Sequence, residues 1–115
     1  MVADEKPQNE TVVVEVKGRV TIGHDAKMRD AIFEALDSGA QNILLNMREV
    51  SKIDSSGIGE LVAAHNNINS RGGRLLLVGL SERLAGVLQI TNLLGVLELY
   101  SDVDEALAAL DSGSE

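Results

Sequence analysis

Three short apolar runs separated by amphipathic stretches constrain this chain most: Thr11 to Val16, Asn42 to Asn46, and Arg74 to Val78. The first is β-branched and bounded by Gly18, and Arg19 to Thr21 reads as a second extended piece running into a turn at Gly23. The other two follow helix stops and lack polar alternation, which is the pattern of strands covered on both faces. Between the first and second runs, Met28, Ala31, Ile32, Ala35 and Leu36 recur on one helical face up to Ser38-Gly39. Arg48 to Ile53 reads as a link to a second helix, predicted from about Ser56 to Arg71 and stopped by Gly72-Gly73. Ser81 caps a third helix carrying Leu84, Val87 and Leu88, and Leu93 to Tyr100 holds another short extended segment. Ser101 with Asp104 marks a capping box for a last helix bearing Val103, Leu107 and Leu110. This order predicts an α/β fold, a mixed, largely parallel sheet with helices packed against it. The domain is expected to span residues 11–110, with residues 1–10 and 111–115 as flexible termini.

Composition narrows the function. At 115 residues the chain has the length of one domain. Ten Lys and Arg against eighteen Asp and Glu give a net charge of −8, and Phe33 and Tyr100 are the only aromatic residues. A nucleic-acid backbone would meet neither a basic surface nor stacking platforms, so no nucleic-acid partner is expected. With no cysteine the fold depends on no disulfide or thiolate-bound metal, which fits a reducing cytoplasm. No leader-like segment and no run of about 18 apolar residues is present, so no membrane insertion is expected.

The segment Lys52-Ile53-Asp54-Ser55-Ser56-Gly57-Ile58-Gly59-Glu60-Leu61 carries the chemistry. Asp and Ser side chains accept the unpaired N–H groups of a first helical turn, and Ile58, Leu61, Val62 and Ile68 follow at helical spacing. Each interior helical glycine costs about 1 kcal/mol relative to alanine, so Gly57 and Gly59 point to a purpose other than stability, such as close approach by another molecule. Taken alone, Ser55 and Ser56 read as capping residues. A phosphate-cradling glycine loop is a minor reading, because no Lys follows in the phosphate-loop pattern and the spacing is not that of a dinucleotide fingerprint. His65 falls on the apolar stripe of the second helix and reads as packing, while His24 sits in a polar loop and reads as solvated. Two histidines without cysteine give no ligand spacing for a metal, and no nucleophile elbow or triad is readable, so neither a cofactor nor catalysis is expected. Glu34, Asp37, Glu60 and Asp104 read as a solvated acidic face, and Leu93 to Leu97 as core.

An ordered series of residues resembles the STAS domain family, whose stand-alone members are bacterial anti-sigma factor antagonists. It comprises Leu44-Leu45-Asn46, then Val50 and Ile53 leading into Asp54-Ser55-Ser56-Gly57-Ile58-Gly59, then Gly72-Gly73-Arg74-Leu75, Thr91-Asn92-Leu93 and Asp104-Glu105-Ala106-Leu107. The resemblance implies a STAS-like fold and a switch. An unphosphorylated antagonist binds an anti-sigma factor that is also a serine kinase, so freeing a sigma factor. The kinase then phosphorylates the hydroxyl residue after the Asp, here Ser55, with Ser56 as the second candidate, and a protein serine phosphatase restores the active form. Thr21, Gly23, His24, Asp25, Asp54, Ser55, Ser56, Gly57, Ile58 and Gly59 are thereby implied as the partner-binding set, with Ser56 capping and Ser55 exposed. One departure stands out. Where the regulatory family has a Gly-Glu-Leu-Asp type of sequence, this chain has Gly18-Arg19-Val20-Thr21, and a hydroxyl replaces the acidic group, with Asp25 as a nearby substitute. The same resemblance admits a second class, a constitutive STAS subunit of a lipid-transport ABC complex or another assembly.

Overall fold

A computed structural model of the chain describes residues 11–24, 26–90 and 97–113. Four strands, β1 (Thr11–Val20), β2 (Asn42–Ile53), β3 (Leu75–Val78) and β4 (Glu98–Tyr100), form one sheet in the order β1-β2-β3-β4. Each neighbouring pair is parallel. Four helices connect and follow them: α1 (Ala26–Asp37), α2 (Ser55–Ser70), α3 (Glu82–Ile90) and α4 (Val103–Gly113).

Alternation along the central strands sends apolar side chains to both faces. Ile43, Leu45 and Met47 of β2 and Leu75 and Leu77 of β3 join Met28, Ile32 and Leu36 of α1, Leu61 and Ile68 of α2, and Leu84 and Leu88 of α3 in the main core. Leu44, Leu76 and Val78 point the other way and pack with Ala106 of α4. Burial on both faces is why β2 and β3 read as unbroken apolar runs. A bidentate pair ties β4 to the residue that leads into β3: the Arg74 guanidinium donates to Glu98 through Nη2 (2.6 Å) and Nε (2.9 Å), and Tyr100 donates to the same carboxylate at 2.8 Å.

Several boundaries differ from the sequence expectation. The two extended pieces around Gly18 are one strand, because Gly18 (φ +78°) lies between two register shifts against β2 and absorbs the irregularity. The expected link from Arg48 to Ile53 is the second half of β2, held by its pairing with Lys17 to Val20. The last helix is capped one residue later than expected: Asp102 accepts the Glu105 N–H at 2.8 Å, and Glu105 accepts that of Ser101 at 2.8 Å. That helix runs on to Gly113, so 111–113, expected as part of a flexible terminus, belong to α4. Of the Leu93 to Leu97 run, only Leu97 lies within the described residues, and it is buried.

Candidate protein-interaction site

The end of β2 and the start of α2 meet at Asp54, whose extended backbone (φ −124°, ψ −171°) makes it the N-cap. Its Oδ1 accepts the N–H groups of Ser56 (3.0 Å) and Gly57 (3.2 Å), two of the donors that a first helical turn leaves unpaired. Its Oδ2 accepts the N–H of Ile22 at 3.1 Å, thirty-two positions away in sequence. The Asp54 carboxyl is held below its ordinary value, first by the Ile22 hydrogen bond and then by those from Gly57 and Ser56. One carboxylate therefore caps α2 and fastens the loop between β1 and α1 to it. Ser56 is not the cap, contrary to expectation, because Asp54 already occupies that position.

The fastened loop is a four-residue turn. His24 N–H donates to the Thr21 carbonyl at 2.7 Å, and Gly23 takes φ +83°, the left-handed conformation required at the third position of a type II turn. Ile22, at the second position, stands 76% exposed. Thr21 lies buried beneath it, with Oγ1 3.3 Å from His24 Nδ1. His24 itself is exposed.

The predicted residues thus separate into three groups. Ser55, Gly59, Gly23 and His24 are exposed, and Ser55 and Gly59, four residues apart, share one face of the first turns of α2. Among the described residues the Ser55 side chain has no hydrogen-bond partner. Asp54 and Ser56 are half-buried. Thr21, Gly57 and Ile58, expected at the partner surface, are buried. A Cβ on Gly57 would fall inside contact distance of the Val20 carbonyl oxygen and lie 2.7 Å from Val20 Cγ1 and 2.9 Å from Ile53 Cγ1. The close approach inferred for Gly57 is therefore made by the chain's own β1. Around Gly59 nothing lies within 4 Å of such a Cβ, so space there is open. Asp25 lies outside the described residues, as does the Thr91-Asn92-Leu93 motif.

One feature escaped the sequence reading. Glu60, expected on a solvated acidic face, is half-buried and accepts from Arg29 Nη1 of α1 at 3.0 Å. His65 is half-buried with Nδ1 enclosed and unpaired, in keeping with a packing role. Among the described residues no three His, Asp or Glu side chains cluster as a metal site, and no helix is long and apolar enough to cross a membrane.

A parallel α/β domain that displays an unengaged serine at a tightly capped helix start defines the structural class. The STAS domain model matches residues 2–106, and the chain belongs to that family. An anti-sigma factor antagonist homologue of Thermotoga neapolitana is 39% identical over 74 residues, 64% of this chain and 66% of the relative. That match spans about two thirds of the relative's length. The anti-sigma-B factor antagonist of Bacillus subtilis is 27% identical over 96 residues, 84% of this chain and 87% of that protein. The crystal structure of a Thermotoga maritima protein assigned as an anti-sigma factor antagonist superposes with a TM-score of 0.82 at 27% identity, covering 92% of each chain.

Proposed function

We propose that this chain is an anti-sigma factor antagonist of the cytoplasm, a non-catalytic binding module switched by phosphorylation of Ser55. Its partner is an anti-sigma factor with serine kinase activity, and a protein serine phosphatase reverses the modification. The observation that carries the reading is the state of Ser55: exposed at the first position of α2, with its hydroxyl unengaged, while Asp54 alone caps the helix. A phosphate adds about −1.5 to −2 charge at neutral pH, and the positive end of the helix dipole receives it without unfolding the domain. A partner surface seated on Ser55, Ile22 and the open space at Gly59 instead meets bulk and charge, and leaves. The names of the relatives support the same role.

The test is phosphosite mass spectrometry of the protein from its own cells, with Ser55→Ala as control and co-purifying proteins identified together. Phosphate on Ser55 with a kinase-type anti-sigma factor is the expected result. Thr21, uncharged where regulatory members of the family carry an acid, favours a second reading as a constitutive subunit of a transport or other assembly. Capture of transporter subunits, insensitive to ATP and with Ser55 unmodified, would select it.

A further inference from the structure

Beside the Ser55 face a cleft of about 510 Å³ opens between β1 and the start of α1. Lys17 and Arg19 line it from β1, His24 from the turn and Lys27 from the first turn of α1. All four are exposed. In a chain of net charge −8, Lys17, Arg19 and Lys27 form no ion pair with any described residue, whereas Arg29 and Arg74 pair with Glu60 and Glu98. Among the described residues, the one carboxylate that lines the cleft is Glu15, which accepts a hydrogen bond from Asn46 Nδ2 at 3.2 Å.

We propose that this cleft binds an acidic peptide segment of the protein that engages Ser55; the identity of that protein rests on the function proposed above. Cations on an end strand also discourage edge-to-edge pairing, and Lys17 and Arg19 serve that purpose. Lys27 lies on a helix and guards no strand edge, yet it faces the same cleft. The open, exposed placement of the four side chains suits a macromolecular segment lying across them, because small ligands are held in sites that bury most of their surface. The acidic remainder of the chain repels such a segment, which focuses it on the cleft and fixes its direction. The turn that carries His24 also carries Ile22 and is fastened to Asp54, so the cleft and the start of α2 flank the same turn.

The experiment titrates the isotope-labelled full chain with a hexaglutamate peptide, a hexalysine peptide and inorganic phosphate, following backbone amide signals by NMR. Hexaglutamate is expected to move the signals of Lys17, Arg19, Gly23, His24 and Lys27 saturably, with an affinity that falls about tenfold as salt rises from low to physiological strength or above. The Lys17→Glu/Arg19→Glu/Lys27→Glu variant, altered only at exposed positions, is expected to keep its circular dichroism and lose the response. Lys17→Gln/Arg19→Gln/Lys27→Gln, free of added repulsion, is expected to weaken it about tenfold or more. Scattered shifts, an equal response to hexalysine, or binding unaffected by either variant would overturn the proposal. Saturation of the same signals by phosphate alone would overturn it in favour of a small-anion site. This readout does not pass through Ser55, so its failure leaves the phosphorylation switch standing, and the loss of that switch leaves this result intact.

Discussion

The Asp54 carboxylate holds the Ile22 amide at 3.1 Å while capping α2 through Ser56 and Gly57, so a single side chain sets where the exposed turn sits relative to Ser55. Substitutions at Asp54 therefore separate the two tasks. Asp54→Asn keeps an oxygen for the helix N–H groups but turns an amide N–H₂ toward the Ile22 N–H, donor against donor. Faster amide exchange at Ile22 and Gly23, with partner capture reduced about tenfold, is expected, the latter because misplacing one anchor of a small interface typically costs that much. Asp54→Ser supplies one oxygen, enough for the cap alone, and should show the same loosened turn with thermal stability closer to wild type. The pH dependence has a defined sign. The folded-state pKa lies below the ordinary 3.8, so the contribution is fully present above 3.8 and is lost as pH falls through the folded value. Amide exchange at Ile22 between pH 6 and pH 3 checks it.

Gly57 and Gly59, alike in sequence, should behave oppositely on substitution. Gly57→Ala drives a methyl group into the Val20 carbonyl and the Ile53 side chain, and the backbone oxygen cannot move aside cheaply. A loss of about 3 kcal/mol is expected, the upper part of the range for overpacking. Gly59→Ala enters open space on a helix and should stabilise the domain by up to about 1 kcal/mol, the helical preference of alanine over glycine. If a partner seats on that space, the same variant binds it more weakly despite its higher stability. Denaturant titrations of both variants alongside partner capture decide the matter, and a Gly59→Ala protein with unchanged binding would remove Gly59 from the interface.

The alternating plan of strands and helices was readable because both-face burial leaves an unbroken apolar signature, as in Ile43 to Leu45 and Leu75 to Val78. Boundaries were less readable wherever pairing overrode local composition. Arg48 to Ile53 contains three charged residues and looks like a loop, yet β1 pairs with it and makes it strand. At the site, the sequence revealed that a helix begins near Ser55, while the capping residue depends on backbone angles that capping preferences alone do not distinguish among Asp54, Ser55 and Ser56. The double use of Asp54 was beyond reach, since its second partner is thirty-two residues away. For the same reason two glycines that look equivalent in a line of text divide into one pressed against β1 and one facing open space.

The Arg74 to Glu98 pair should matter to stability and fail in acid. Arg74 also donates through Nη1 to the Ala109 carbonyl at 3.4 Å, so the residue that leads into β3 is joined to β4 and α4. Arg74→Met leaves Glu98 with the Tyr100 hydroxyl as its remaining donor. A loss of about 1–2 kcal/mol is expected, the value of charged hydrogen bonds discounted for side chains that remain 30% exposed. Arg74, and then Tyr100, hold the Glu98 carboxyl below its ordinary 4.5. The stabilisation is therefore complete above 4.5 and disappears as pH drops through the lower folded value. Thermal melts of both proteins should differ most at pH 7 and draw closer in strong acid, where only the Ala109 hydrogen bond of Arg74 remains; a constant difference across that range would show that this bond and packing of the arginine stem, and not the pairing with Glu98, stabilise the strand.

Ile22 tests whether the turn is a binding element or only a connection. An isoleucine 76% exposed contributes little to the fold, so Ile22→Ser should change stability by no more than about 0.5 kcal/mol, the usual range for surface substitutions. The hydrogen bonds from its backbone to Asp54 and within the Thr21 to His24 turn do not involve the side chain and remain. If the turn meets the partner, removal of this apolar anchor should weaken capture about tenfold, as expected for a central interface residue. Ser55→Asp offers the complementary test, abolishing capture through charge while Ile22→Ser weakens it through lost contact. Calorimetric titration of both variants should separate them, with a smaller negative heat-capacity change for Ile22→Ser because less apolar surface is buried. Full-strength binding by Ile22→Ser would place the interface on the α2 side of Ser55, away from the turn.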